Sequence, residues 1–137
     1  MGIHYYTNGN ICYKGYYAKG RRNGGGIYYY DDGNLLYEGQ WRDDYLQGRG
    51  IYYNQFKQKI YDGFWIKSAR NGWGSSYYEN NCGGLGATKY EGQWKDGLMH
   101  KKGTLYYSEN KLVCYKGDWV SGVRKGHGEL YDKTGKL

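Results

Sequence analysis

The residues of this 137-residue chain with chemical potential are three histidines, His4, His100 and His127, three cysteines, Cys12, Cys82 and Cys114, and scattered serines and carboxylates. A metal centre needs His, Cys or carboxylate ligands at short, fixed spacing, and the histidines stand far apart with no such ligand near them. A nucleophilic serine of the hydrolase type sits in Gly-x-Ser-x-Gly, and Ser68, Ser75, Ser76, Ser108 and Ser121 have no such setting. Gly-x-Gly recurs at Gly24 and Gly26, Gly48 and Gly50, Gly72 and Gly74, and Gly126 and Gly128. A phosphate-cradling loop needs a third glycine and a helix behind it, and no helical pattern follows. The paired carboxylates Asp31-Asp32 and Asp43-Asp44 fall in turn-like stretches, where Asp serves local hydrogen bonding. No catalytic site, metal or cofactor is expected.

The elements that carry these residues repeat. Gly and Tyr dominate, with 25 and 20 residues against no Pro. A Gly-rich but aromatic-rich chain reads as β-structure rather than as disorder. Five segments open with Tyr-x-Gly-x-aromatic, at Tyr13, Tyr37, Tyr61, Tyr90 and Tyr115. Counting that Tyr as zero, offset 13 is always Gly (Gly26, Gly50, Gly74, Gly103, Gly128) and offset 16 is always Tyr (Tyr29, Tyr53, Tyr77, Tyr106, Tyr131). Offset 11 is Gly except at Lys101, and offset 7 is Gly except at Asp44 and Ser68. A fixed period with shared positions is the signature of a repeat array.

The pattern resembles the MORN (membrane occupation and recognition nexus) repeat, whose plan is Tyr-x-Gly-x-Trp-x-x-Gly-x-x-x-Gly-x-Gly followed by an aromatic. The resemblance runs from residue 13 to 131. Tyr17 departs from it in place of Trp, and Asp44, Ser68 and Lys101 in place of Gly. Five repeats are expected over 13–137, at 13–36, 37–60, 61–89, 90–114 and 115–137. Residues 1–12 read as the second half of a preceding repeat, so the chain is expected to be a piece of a longer array.

Side chains alternate along a strand, so offsets 0, 2 and 4 place Tyr37, Gly39 and Trp41 on one face. Offsets 13 to 17 form a second strand, and offsets 5 to 12 are expected to be a loop between the two. The fold class is all-β: an elongated single antiparallel sheet of consecutive hairpins. Strand glycines make room for a neighbouring Tyr or Trp ring. Cys12 and Cys114 occupy register positions before a repeat-opening Tyr. Cys82 lies in a Gly-rich insertion expected to be exposed.

Charge is uneven. Offsets 5 to 12 hold twelve of the 20 basic residues and only three of the 13 acidic ones, in a chain of net charge +7. If those offsets are loops, they form one basic edge. The candidate anion- or partner-binding residues on it are Lys19, Arg21, Arg22, Arg49, Lys67, Arg70, Lys101, Lys102, Arg124 and Lys125. Such an edge suits anionic headgroups or an acidic protein surface. Aromatic rings can also stack bases, but rings recurring at the repeat period read as core, and nucleic acid is disfavoured. The resemblance implies a non-catalytic scaffold with protein partners, a homodimer among them, in a cytoskeletal, ciliary or membrane-associated assembly. It also allows an anionic-phospholipid module, or an accessory domain of a larger enzyme. Few cysteines and no apolar run of spanning length favour a cytoplasmic location.

Overall fold

The computed structural model describes residues 1–79 and 86–137. The described chain is one open sheet of eleven antiparallel strands in sequence order. They are β1 (Gly2–Tyr5), β2 (Ile11–Ala18), β3 (Arg21–Tyr29), β4 (Leu35–Arg42), β5 (Tyr45–Tyr53), β6 (Lys59–Ile66), β7 (Ala69–Tyr77), β8 (Thr88–Lys95), β9 (Leu98–Tyr106), β10 (Val113–Val120) and β11 (Val123–Leu130). At ~4.8 Å per strand the sheet is about 48 Å wide, against about 30 Å along a nine-residue strand. No helix occurs among the described residues, and none is long and apolar enough to cross a membrane. The insertion with Cys82 lies outside the described residues.

The expected loop at offsets 5 to 12 is corrected by this fold. The strands run up to a turn with only two central residues, such as Lys19 and Gly20, φ 52° and 76°. Positive φ at both central positions is the hairpin turn whose twist matches the flanking strands. Asp43 and Asp44 (48° and 69°) and Lys67 and Ser68 (46° and 66°) take the same shape, so Asp44 and Ser68 replace Gly without breaking it. Offsets 8 to 12 therefore belong to the second strand and alternate between faces.

A bulge sets that alternation. Gly39 pairs with Gly50 and Trp41 with Leu46, and the register slips between them. The extra residues on β5 are absorbed at Gly48, φ 87°. Lys101 adopts φ 56° at the same offset, so the fourth hairpin keeps the bulge without glycine.

One face carries the core. Tyr13, Tyr37, Tyr61 and Tyr90 are its largest fully buried side chains, with Trp41, Trp65, Trp94 and Trp119 buried beside them. Tyr37 meets Trp41 edge-on at 5.3 Å and Trp65 at 5.8 Å, and the ladder continues through Tyr61, Trp94, Tyr90 and Trp119. Each such pair contributes about 0.5–1.5 kcal/mol beyond area burial. Glycine gives the rings their seats: a Cβ on Gly50 or Gly103 would stand 1.9 Å from the Tyr37 or Tyr90 oxygen. The ring comes from the adjacent strand, as the sequence leads one to expect. The indoles cross to the preceding hairpin, where Trp65 Nε1 donates to the Gly50 carbonyl at 3.1 Å and Trp94 Nε1 to that of Gly74 at 3.0 Å.

Candidate binding surfaces

The ten basic candidates do not share an edge, because most of them lie in strands. Lys19 and Lys67 are turn residues, and Arg21 is exposed where β3 begins. Arg22, Arg70 and Arg124, all at offset 9, lie on the aromatic face. Arg22 stacks 4.5 Å from the Trp41 ring centroid, Arg70 4.8 Å from Tyr61 and 5.1 Å from Trp94, and Arg124 5.6 Å from Tyr115. Burial pulls the pKa of the Arg70 guanidinium down, as desolvation does to any cation. Arg49 and Lys102, at offset 12, point to the opposite face. Lys101 occupies the bulge, and Lys125 is exposed on the last strand.

That opposite face is hollowed into a trough of about 1010 Å³ across β5 to β11. Its floor is glycine backbone: Gly63 and Gly74, Gly92 and Gly103, Gly117 and Gly128 face one another as cross-strand pairs. The side chains these positions lack belong to the aromatic face, where a Cβ on Gly74, Gly103 or Gly128 would meet the Tyr61, Tyr90 or Tyr115 ring, so the trough face shows only their backbone. Above it stand Phe64 and Trp73, 45% and 58% exposed. Phe64 lies opposite Arg49, and Trp73 opposite Gln93. Both aromatics belong to the β6–β7 hairpin, and they are the large apolar groups that line the trough.

The walls are charged and balanced. Arg49, Lys102 and Lys116 line the trough, and so do Asp62, Glu91 and Glu129. Arg49 pairs with Asp62 at 3.3 Å, and Lys59 reaches the same carboxylate at 3.5 Å. Lys102 pairs with Asp118, and its hydrogen bond, with that of the His127 amide, holds the Asp118 pKa below the usual carboxylate value. The Tyr106 hydroxyl donates to Glu91 at 2.7 Å; burial, then this bond, pushes the phenol up to about 12. With equal numbers of each sign, the trough does not suit a polyanion. It suits a segment with charges of both kinds and an apolar group to lie on Trp73.

The turn edge differs again. Ile66, Leu98, Val120 and Val123 are 46–64% exposed there, next to the exposed Lys67 and Lys95. No three of the described His, Cys, Asp and Glu come together as metal ligands.

Charge counts along the sequence missed the trough because they merged two faces. The signal that finds it is alternation: offsets 1, 3, 12 and 14 share one face, and only the third repeat puts aromatics at both 3 and 12.

A family model for the MORN repeat matches residues 13–35, 37–54, 90–110 and 115–136. The β6–β7 hairpin between them has the same Tyr, Gly and Trp plan.

Proposed function

Because the chain belongs to the MORN repeat family, whose repeats serve protein or membrane interactions, we propose that it is a non-catalytic module docking a protein partner in the trough. The observation that carries this reading is the pair Phe64 and Trp73, exposed together over a glycine floor. Exposed aromatics in a concave surface are where binding energy concentrates, and a partner covers them at little ordering cost to a rigid sheet. The partner presents an apolar side chain flanked by charges of both signs. We place it in a cytoskeletal, ciliary or membrane-associated assembly.

The test is a pull-down from the native source with wild type and with Phe64→Ala/Trp73→Ala. Both residues are exposed, so the variant should melt with wild type while losing the specific partner. A folded variant that keeps every partner would overturn the proposal. Sedimentation of the purified pair tells a second copy from a foreign protein.

The turn edge supports a second reading. Aliphatic side chains beside lysines suit an anionic phospholipid surface, which attracts each Lys by about 1 kcal/mol. Under this reading wild type co-sediments with anionic vesicles, and Lys67→Glu/Lys95→Glu or added salt abolishes it.

A further inference from the structure

The third hairpin interrupts the aromatic face twice at one place. At offset 15 the other hairpins carry Tyr28, Tyr52, Leu105 and Leu130, and the third carries Ser76. Tyr28 and Tyr52 pack on Trp41 and Trp65, with ring centroids 5.9 and 6.4 Å apart. Ser76 offers no such group, and a cavity of about 470 Å³ opens there, with Trp94 in its wall. Arg70, Tyr78, Glu79 and Lys89 also line it. Ser76 is 4% exposed, and its Oγ has no hydrogen-bond partner among the described residues.

The second interruption is electrostatic. Arg22 donates from Nε to the Asp44 carboxylate at 3.0 Å, while the Asp44 amide donates to the Arg22 carbonyl at 3.1 Å. Around Arg70 the same backbone bond is made by Gly97, whose amide donates to the Arg70 carbonyl at 3.0 Å. Glycine supplies no carboxylate. Arg70 is thus a guanidinium packed on two rings, with no anionic partner among the described residues.

We propose that this cavity binds a small oxyanion, a carboxylate or a phosphate monoester, with Arg70, the Ser76 hydroxyl and Lys89 as its donors. A cation withdrawn from water without a counter-ion is unfavourable, and the ligand replaces the carboxylate that Asp44 gives Arg22. A guanidinium matches planar carboxylate and phosphate oxygens with two parallel donors. Ser76 adds a donor left unused among the described residues. Arg70 and Lys89 against Glu79 give the lining one excess positive charge, and the open volume left by the missing ring admits the ligand's carbon portion. The site lies on the face opposite the trough and does not depend on it.

The test titrates wild type with inorganic phosphate and with acetate at constant ionic strength, read by tryptophan fluorescence and thermal shift. Saturable binding is expected. Gly97→Asp restores the counter-ion, and its backbone is tolerated because Asp44 holds φ 69° at that offset. Ser76→Tyr refills the cavity with the residue found at 28 and 52. Each should weaken binding by at least about tenfold, with the melting temperature of Gly97→Asp kept or raised. Should Ser76→Tyr fail to fold, Gly97→Asp decides alone. A soluble inositol phosphate and vesicles of the matching phosphoinositide then separate the sources: co-sedimentation points to a headgroup, binding of the soluble compound alone to a free phosphate ester. No saturable response in wild type, or wild-type affinity in Gly97→Asp, would overturn the site.

Discussion

The phenol of Tyr37 fills the place where any other residue at Gly50 would carry its Cβ. That atom would stand 1.9 Å from the Tyr37 oxygen and 2.2 Å from its Cζ. The ring cannot swing away, since its hydroxyl donates to the Gln40 carbonyl at 2.9 Å and it sits edge-on between Trp41 and Trp65. Gly50→Ala should therefore cost about 3 kcal/mol, the upper end of overpacking penalties. Gly25 lies one position from Gly26 on the other face, where a Cβ would meet only Gln40 Nε2, at 3.8 Å. Gly25→Ala should stay within about 0.5 kcal/mol of wild type. Urea midpoints of the two variants check this, and equal midpoints would refute ring-over-glycine packing.

The offset-9 arginines give a second contrast. Arg70→Glu puts a carboxylate against the Tyr61 and Trp94 rings and removes a cation–π contact worth about 0.5–2 kcal/mol. We expect a loss near 2 kcal/mol in thermal melts. Lys67→Glu, at an exposed turn, should change stability by no more than about 0.5 kcal/mol. A wild-type melt for Arg70→Glu would return Arg70 to the solvated edge that its place in the sequence suggests.

Those arginines also show what the sequence makes legible. Tyr37, Gly39 and Trp41 declare a strand face because alternation is strict over five residues, and five copies fix the hairpin order. The glycine at offset 13 declares the ring it accommodates. The faces of Arg22 and Arg49 are not legible in the same way: they depend on the second strand starting directly after a two-residue turn and on a bulge at Gly24 or Gly48 that takes up two extra residues. A tight turn and a loop of eight residues are equally compatible with Lys19-Gly20 until the pairing of Ala18 with Arg21 is known. The trough follows from that pairing, since it brings Phe64 of one strand beside Trp73 of the next. The oxyanion cavity needs one more comparison, between Ser76 and the tyrosines at its offset, which becomes meaningful only once that offset is seen to pack on a tryptophan.

The buried phenols predict an alkaline limit. Burial pushes Tyr61 and Tyr90 up to about 12 and raises Tyr37 as well, whereas an unfolded tyrosine ionises near 10. Between those values the unfolded chain releases protons that the folded sheet retains, so stability falls as pH rises. Below about pH 10 the three contribute in full; above it each removes about 1.4 kcal/mol per pH unit, together about 4 kcal/mol. A domain of ordinary stability, about 5–15 kcal/mol, has little left after two such units. Urea unfolding at stepped pH should show a plateau to about pH 10 and a steep decline beyond it, with phenolate absorbance rising as the sheet melts. Tyr61→Phe removes one of the ionising phenols, so its stability should decline less steeply, by about 1.4 kcal/mol per pH unit, even though it starts lower for want of the hydrogen bond to the Phe64 carbonyl. A decline as steep as wild type's would show that the buried phenols do not set the limit.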